Sequence, residues 1–180
     1  MDLKETRLDS KAVYEGDFIK VFKDNVQLPD GSVGMREHIA HPGAVAVLAI
    51  LDNGDLLMER QFRYAPQRDF LELPAGKIEY GEDILLTAQR ELLEETGYIA
   101  SSWTHLTTAW PGIGFSNERM EYYVARGLTY QGQQLDEGEF LEVFELSLSD
   151  ALDWIRQGKI NDSKTMVGIF WLEKMLNDWK

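Results

Sequence analysis

Between residues 82 and 95 the chain sets five acidic side chains: Glu82, Asp83, Glu91, Glu94 and Glu95. On a helix, Glu91 and Glu95 lie within roughly 40° of each other, and Glu94 about 60° further round. Like charges spaced i, i+4 destabilise a helix by about 0.2–0.5 kcal/mol per pair. Ile84, Leu85, Ala88 and Leu92 form the apolar face of the same helix, and Glu91 and Glu95 fall at its edge. The two carboxylates therefore lean toward the body of the protein. Converging, half-buried carboxylates need a counter-charge, or their pKa values rise. The nearest cation in sequence, Arg90, lies on the far side of Glu94 and suits an Arg90–Glu94 pair. A hard divalent cation is the economical remedy, because Mg²⁺ takes a few carboxylates together with waters and phosphate oxygens. A solvated acidic face is the plainer alternative, and the cluster alone does not separate the two.

These side chains need a frame. Residues 82–96 read as one helix, stopped by Gly97. Upstream, "AVAVLAILD" reads as a buried strand, Asn53-Gly54 as a turn, and "DLLMERQFRY" as an alternating strand. Downstream come the strand "WTHLTTAW", the loop "PGIGFSNER", the strand "MEYYVARGL", a polar loop, and the alternating "FLEVFELSL" that begins at Phe140. Ser149 is expected to cap a helix over "DALDWIRQG", and Asn161 or Asp162 a longer closing helix. Trp171, Met175 and Trp179 recur on that helix at core-facing spacing. Residues 12–40 read as short strands joined by the turn "PDGS", with Pro42-Gly43 as a boundary. The expectation is an α/β (α+β) body, residues 42–180, behind a small antiparallel N-terminal strand unit, residues 1–41. Two or three strands are marginal without packing partners, so a homodimer is expected.

The whole chain bounds the chemistry. At 180 residues, 44% apolar and 27% charged, it suits an ordinary soluble domain with its own core. With no cysteine it has no thiolate nucleophile, disulfide framework or Cys-based zinc site. Eighteen basic against 31 acidic residues give a formal net charge of −13, which provides no footprint for nucleic acid. A phosphate-bearing small ligand remains open if a cation and a few local Arg offset that field. The longest apolar run, residues 44–51, is too short to span a bilayer, and "MDLKETRLDS" lacks an apolar leader. A cytoplasmic protein with no membrane partner is expected.

The spacing sharpens the reading. The stretch "LPAGKIEYGEDILLTAQRELLEETGY" resembles the signature of the Nudix hydrolases, G-x5-E-x7-R-E-U-x-E-E-x-G-U with U a bulky aliphatic. Gly76, Glu82, Arg90, Glu91, Glu94, Glu95 and Gly97 occupy their places, and Leu92 fills the first U. At about 7% per residue type, seven matches in one window arise by chance on the order of once in 10⁸, which sets the plain acidic face aside. Tyr98, at the last U, is the one departure, at a position that packs and does no chemistry. The resemblance implies a Nudix-type α/β/α sandwich with a mixed sheet. It also implies Mg²⁺- or Mn²⁺-dependent hydrolysis of a nucleoside diphosphate linked to another moiety. It places metal ligands at Glu91, Glu95 and the carbonyl of Ala75, with Glu94 close by. Arg90 would orient the carboxylates, and Gly76 would let the backbone approach the metal.

Outside the signature, "ERQFRYAPQRDFLELPAG" resembles the ADP-ribose pyrophosphatase branch. The resemblance implies that Arg63 contacts a substrate phosphate and that Glu72 holds that Arg or helps the metal site. A surface strand residue is the alternative for Arg63, since Arg60 and Arg68 offer other cations nearby. Pro111, in "WPGIGFSNE", stands near a proline that this branch carries. In "DEGEFLEV", Glu139, with Glu137 second, matches an acidic loop residue that activates the attacking water or joins the metals. The branch also implies N-terminal strands exchanged in a homodimer, with Phe18, Arg36 and Glu37 as candidates for an adenosine pocket. The reaction so implied converts ADP-ribose to AMP and ribose 5-phosphate. A GDP- or UDP-sugar pyrophosphatase is the alternative, and a non-catalytic sensor of ADP-ribose-type ligands a lesser one.

Overall fold

The computed structural model describes the backbone of residues 1–16 and 18–178, and side chains as far as residue 176. Its contacts divide the chain into two compact units, Met1–Gly43 with Trp110–Arg119, and Ala44–Ala109 with Met120–Lys180.

The first unit is an antiparallel sheet of β1 (Thr6–Glu15), β2 (Lys20–Gln27) and β3 (Val33–Ala40), in that order. β1 begins six residues before the expected stretch and is exposed along its whole length. The turn between β2 and β3 is closed by the Ser32 N–H donating to Asp30 at 3.0 Å. The segment 110–119 lines β3: Ile39 donates to the Phe115 carbonyl at 2.7 Å, and Asn117 Oδ1 accepts from the His41 N–H at 2.7 Å.

The second unit is built on a mixed sheet. β7 (Ala75–Lys77), β4 (Ala44–Ala49), β9 (Met120–Tyr130) and β8 (Tyr98–Ala109) lie side by side, with β4 parallel to β9 and the other pairs antiparallel. Every residue of β4 is buried, as its unbroken apolar run requires. Its side chains alternate between two cores. Ala44, Ala46 and Leu48 pack with Ala151, Ile160, Ile169 and Leu172, which belong to α2 (Leu148–Arg156), α3 (Ser163–Asp178) and the link between them. Val45, Val47 and Ala49 pack with Ala88 and Leu92 of the acidic helix on the other side. The result is the expected α/β/α sandwich. A second sheet sets β5 (Leu56–Arg63) between β10 (Leu141–Leu146) and β6 (Arg68–Glu72). β6 and β7 were not legible as strands in the sequence. No helix among the described residues is long and apolar enough to cross a membrane.

Three expectations need correction. Ser147, not Ser149, caps α2: its Oγ accepts from the Asp150 N–H at 3.1 Å. β10 starts at Leu141, and Phe140 before it is 81% exposed, so Phe140 belongs to the loop. Helix α3 buries Thr165, Gly168, Ile169 and Leu172, an i, i+3, i+4, i+7 stripe that leaves Trp171 half exposed on another face. Met175 packs at the margin of the core, and Trp179 lies outside the described residues. Asp162 caps α3 as expected, accepting from the Thr165 N–H at 3.1 Å.

Candidate active site

The acidic helix is shorter and less regular than its sequence reads. Asp83 is its N-cap, accepting from the N–H groups of Leu85 and Leu86 at 2.9 and 3.3 Å, and α1 proper runs Ile84–Glu91. The chain then widens into a π turn, Leu92–Thr96, and stops at Gly97 with φ 78°. Turns of this kind recur at functional sites. Here it spans the stretch that carries Glu94 and Glu95.

Arg90 organises the near side of this helix. Its Nε donates to Glu82 at 3.0 Å, and its Nη1 lies 2.9 Å from both Glu91 Oε1 and Glu94 Oε2. The expectation that Arg90 sits beyond Glu94, away from Glu91, is therefore wrong: the guanidinium lies between the two carboxylates. Hydrogen bonding by Arg90, helped by Thr87, holds Glu82 down to about 2, and the Glu82 bond in turn raises Arg90.

Behind it the carboxylates lose water faster than they gain partners. Burial pushes Glu91 up to about 7, although the charge of Arg90 works against the rise. Glu95 is 2% exposed and lies well above its ordinary value, through burial first and then the charges of Glu59 and Glu91. The Ala75 N–H donates to Glu95 Oε2 at 2.8 Å and partly opposes this. Gly76 makes room for Glu91. A Cβ built there would lie 1.9 Å from the Glu91 carboxyl carbon, so this glycine serves the close approach of a side chain.

The opposite wall is β5. Leu57 packs in the core beneath α1, while Met58 belongs to the other core, so alternation puts Leu57, Glu59, Gln61 and Arg63 on one face. Arg63 forks onto Glu72 of β6, Nε to Oε1 and Nη2 to Oε2, both at 2.8 Å. Lys164, at the start of α3, reaches the same Glu72 Oε2 and donates to Asp162 at 2.8 Å. Burial would raise Glu72, but Arg63 and Lys164 outweigh it and hold the carboxylate below its ordinary value. Glu59, the cross-strand partner of Glu72, is fully buried, and neither of its carboxyl oxygens has a hydrogen-bond partner. Burial and then Glu72 push it up to about 8.

The last wall is the loop before β10. Gln61 Nε2 donates to Glu139 Oε1 at 3.4 Å, and the charge of Glu139 is felt by Glu59, Glu91 and Glu95. Glu137 is exposed. The root of this loop is stapled to the acidic helix. Glu94 O accepts from the Gln134 N–H at 3.0 Å, Glu95 O from Gln133 Nε2 at 2.6 Å, and Gly97 O from the Gln131 N–H at 2.7 Å.

Of the residues named from sequence, Glu91, Glu94, Glu95, Arg90, Ala75, Arg63, Glu72 and Glu139 thus stand around one acidic pocket. Phe18, Arg36 and Glu37 lie in the first unit and do not gather into a site there. Arg36 pairs with Glu5, Glu37 with Lys23 at 4.0 Å, and the Phe18 ring meets His41 edge-on at 5.2 Å. Three pocket residues were missed: Glu59, Gln61 and Lys164. The alternation of β5 held the signal for the first two, since an acid on the inward face of an apolar strand is out of place. Lys164 had none, because only tertiary packing brings it to Glu72.

Among the described residues no three His, Asp or Glu side chains stand close enough to hold a cation by themselves. Yet the pocket has an excess of buried carboxylate, two oxygens of which lack any partner, and its cations are committed to other acids. That donor set fits Mg²⁺ or Mn²⁺, which take one or two carboxylates and complete their shell with waters, carbonyls and phosphate oxygens.

Comparison with known proteins agrees with this geometry. Residues 40–166 match the NUDIX domain, and residues 5–39 match the nucleoside diphosphate sugar hydrolase N-terminal domain. The chain belongs to the NUDIX domain family and is an enzyme of the Nudix hydrolase type. Such hydrolases generally use divalent metal ions. It is 40% identical to an ADP-ribose pyrophosphatase of Bacillus subtilis (strain 168), over 95% of this chain and 94% of that protein. It is 39% identical to a methanol dehydrogenase activator of Bacillus methanolicus, over 94% and 93% respectively. A solved structure of an ADP compounds hydrolase shares the fold, with a TM-score of 0.88 at 23% identity over 99% of this chain and 98% of that one.

Proposed function

We propose that this protein hydrolyses the diphosphate of ADP-ribose, giving AMP and ribose 5-phosphate, with Mg²⁺ or Mn²⁺ in the acidic pocket. The observation that carries the reading is the pairing of a buried, cation-poor carboxylate pocket with the Arg63–Glu72 fork at its side. The full-length likeness to an ADP-ribose pyrophosphatase supports the choice of substrate.

Each residue has a task that follows from its surroundings. Glu91, Glu95 and the Ala75 carbonyl would hold the cation, with Glu94 beside them. Bound there, the cation neutralises diphosphate charge and makes a water more acidic. Arg90 fixes Glu91 and Glu94 in place through its paired contacts. Arg63 is held rigid by Glu72 and has three of its five N–H groups left for a phosphate oxygen. Lys164 buttresses Glu72, so the fork keeps its charge and direction. Glu139 would take the proton of the attacking water, because it stands on the loop beside the pocket, where Gln61 donates to its carboxylate. The exposed position of Glu137 makes it the second choice.

The N-terminal sheet supports a homodimer. Leu8, Val13, Tyr14, Val33 and Met35 are each at least half exposed on it, more apolar surface than three strands leave to water without a partner. Phe18, Arg36 and Glu37 would then serve the adenosine end of the substrate. A cytoplasmic location accords with the absence of cysteine.

One observation favours a second reading, a GDP- or UDP-sugar substrate: the N-terminal strands match a domain described for nucleoside diphosphate sugar hydrolases. ADP-ribose is itself a nucleoside diphosphate joined to a sugar, so that match fits both. Incubating the purified protein with Mg²⁺ and ADP-ribose, GDP- and UDP-sugars or dinucleoside polyphosphates, with chromatography of products, tests the two. Preferential release of AMP from ADP-ribose is expected. Preferential cleavage of a nucleotide sugar gives the second reading, and cleavage of none overturns both.

A further inference from the structure

We propose that Glu59 is a ligand of the divalent cation, sharing it with Glu95. The inference rests on the reading that the acidic pocket takes such a cation, and it adds a carboxylate that lies outside the signature stretch.

The first support is position. Glu59 lies on the face of β5 that Leu57, Gln61 and Arg63 share, between Val143 of β10 and Glu72 of β6. Leu57 packs with Ala88 and Leu92 of the acidic helix, Gln61 reaches Glu139, and Arg63 reaches Glu72. The residue between these contacts therefore faces the same pocket. Among charged groups, Glu59 acts most strongly on Glu95.

The second support is what surrounds it. Glu59 is fully buried, and neither carboxyl oxygen meets a donor. The cations close by are committed elsewhere: Arg63 and Lys164 to Glu72, and Arg90 to Glu82, Glu91 and Glu94. A buried carboxyl with no donor costs free energy, and an apolar side chain of similar size would serve packing better. A divalent cation removes the cost. It needs oxygen ligands free of competing hydrogen bonds, and Glu59 has both. Glu95 differs in having one oxygen already held by the Ala75 N–H, which orients the other. One strand and one helix turn would then each give a carboxylate to the same ion.

The test is direct titration of metal-free protein with Mn²⁺, following free Mn²⁺ by electron paramagnetic resonance, for wild type, Glu59→Gln and Glu95→Gln. Glutamine keeps the shape and removes the charge. Tight Mn²⁺ binding is expected to weaken tenfold or more in Glu59→Gln, as in Glu95→Gln. Its metal-free melting temperature should not fall, since no partner is lost. Mn²⁺ affinity within twofold of wild type makes Glu59 an inert buried acid and overturns the inference. Should Glu59→Gln not fold, Glu59→Asp keeps the charge, shortens the reach, and is judged by the same thresholds. The outcomes separate the two levels. If wild type has no tight Mn²⁺ site, the functional reading falls with the inference. If Glu95→Gln loses Mn²⁺ while Glu59→Gln retains it, only the inference falls.

Discussion

Replacing Gly76 with alanine should separate the stability of this protein from its activity. Gly76 sits in β7 opposite Val45, with no left-handed backbone, so alanine brings no main-chain strain. The new Cβ would lie 1.9 Å from the carboxyl carbon and Oε1 of Glu91 and 2.3 Å from Oε2. Ordinary contact begins at 3.4 Å, so the carboxyl must retreat by about 1.5 Å, the difference between that and 1.9 Å. The clashing atoms end a flexible side chain, so the fold absorbs the change by an off-rotamer glutamate, at about 1 kcal/mol. In a chain of this length that lowers Tm by about 2–4 °C. Catalysis is less forgiving, since displacement of about 1 Å can lower a rate roughly 10²-fold, or about 2.7 kcal/mol of barrier. The measurement is kcat/KM for ADP-ribose at saturating Mg²⁺ alongside a thermal melt. Activity within threefold of wild type would refute the argument that this glycine sets the position of Glu91. A melt lowered by much more than 4 °C would show that Glu91 cannot yield.

Glu95→Gln should abolish Mg²⁺-dependent hydrolysis while the metal-free protein melts at the same temperature or higher; near-native activity at saturating Mg²⁺ removes Glu95 from the ligand set. Glu139→Gln should lower kcat by roughly 10²–10⁴-fold with little change in KM, and Glu137→Gln by less; steady-state kinetics showing the reverse order would exchange their roles. Without metal, stability should fall as pH rises from 5 to 8. Glu91 and Glu59 have folded-state values of about 7 and about 8 against an ordinary 4.5, so the folded protein binds more protons than the unfolded chain in that window. Saturating Mg²⁺ should flatten this profile, and a melting temperature that climbs across the window contradicts the burial argument. Light scattering at micromolar concentration should give a dimer, and a mass near one 20.6 kDa chain would count against the exchanged strands.

How far the sequence revealed this site depended on how local each signal was. Gly76, Arg90 and the four signature acids lie within twenty residues, where spacing and the resemblance to the Nudix signature suffice to read them. The Arg63–Glu72 fork was legible only through the resemblance of "ERQFRYAPQRDFLELPAG" to the ADP-ribose pyrophosphatase branch, since β6 itself did not read as a strand. What escaped was set by tertiary contact. Lys164 follows Glu72 by 92 residues, and only the packing of α3 brings them together. Glu59 hid in a strand read simply as alternating, since its burial comes from β6 and β10 on either side. The π turn was hidden for another reason. Nothing in "LLEET" differs from ordinary helix formers, and the widening accompanies carbonyls that bond outward to residues 131–134. Arg90 was misplaced because a helical wheel fixes only where a side chain leaves the axis. A long guanidinium arm reaches neighbours on both sides.

The stapled root of the loop before β10 decides how Glu139 can move. Its anchors are main-chain oxygens of Glu94 and Glu95, residues whose side chains work in the pocket. Beyond Gln134 only Leu135, Asp136, Glu137 and Gly138 intervene, and Gly138, at φ 84°, is the one pivot among them. Glu139 therefore swings on a short leash whose fixed end is the acidic helix itself. Any displacement of that helix would carry the root of the leash with it. Glu139, the proposed proton acceptor, and the carboxylates of Glu94 and Glu95 would then travel as one carriage and keep their separation.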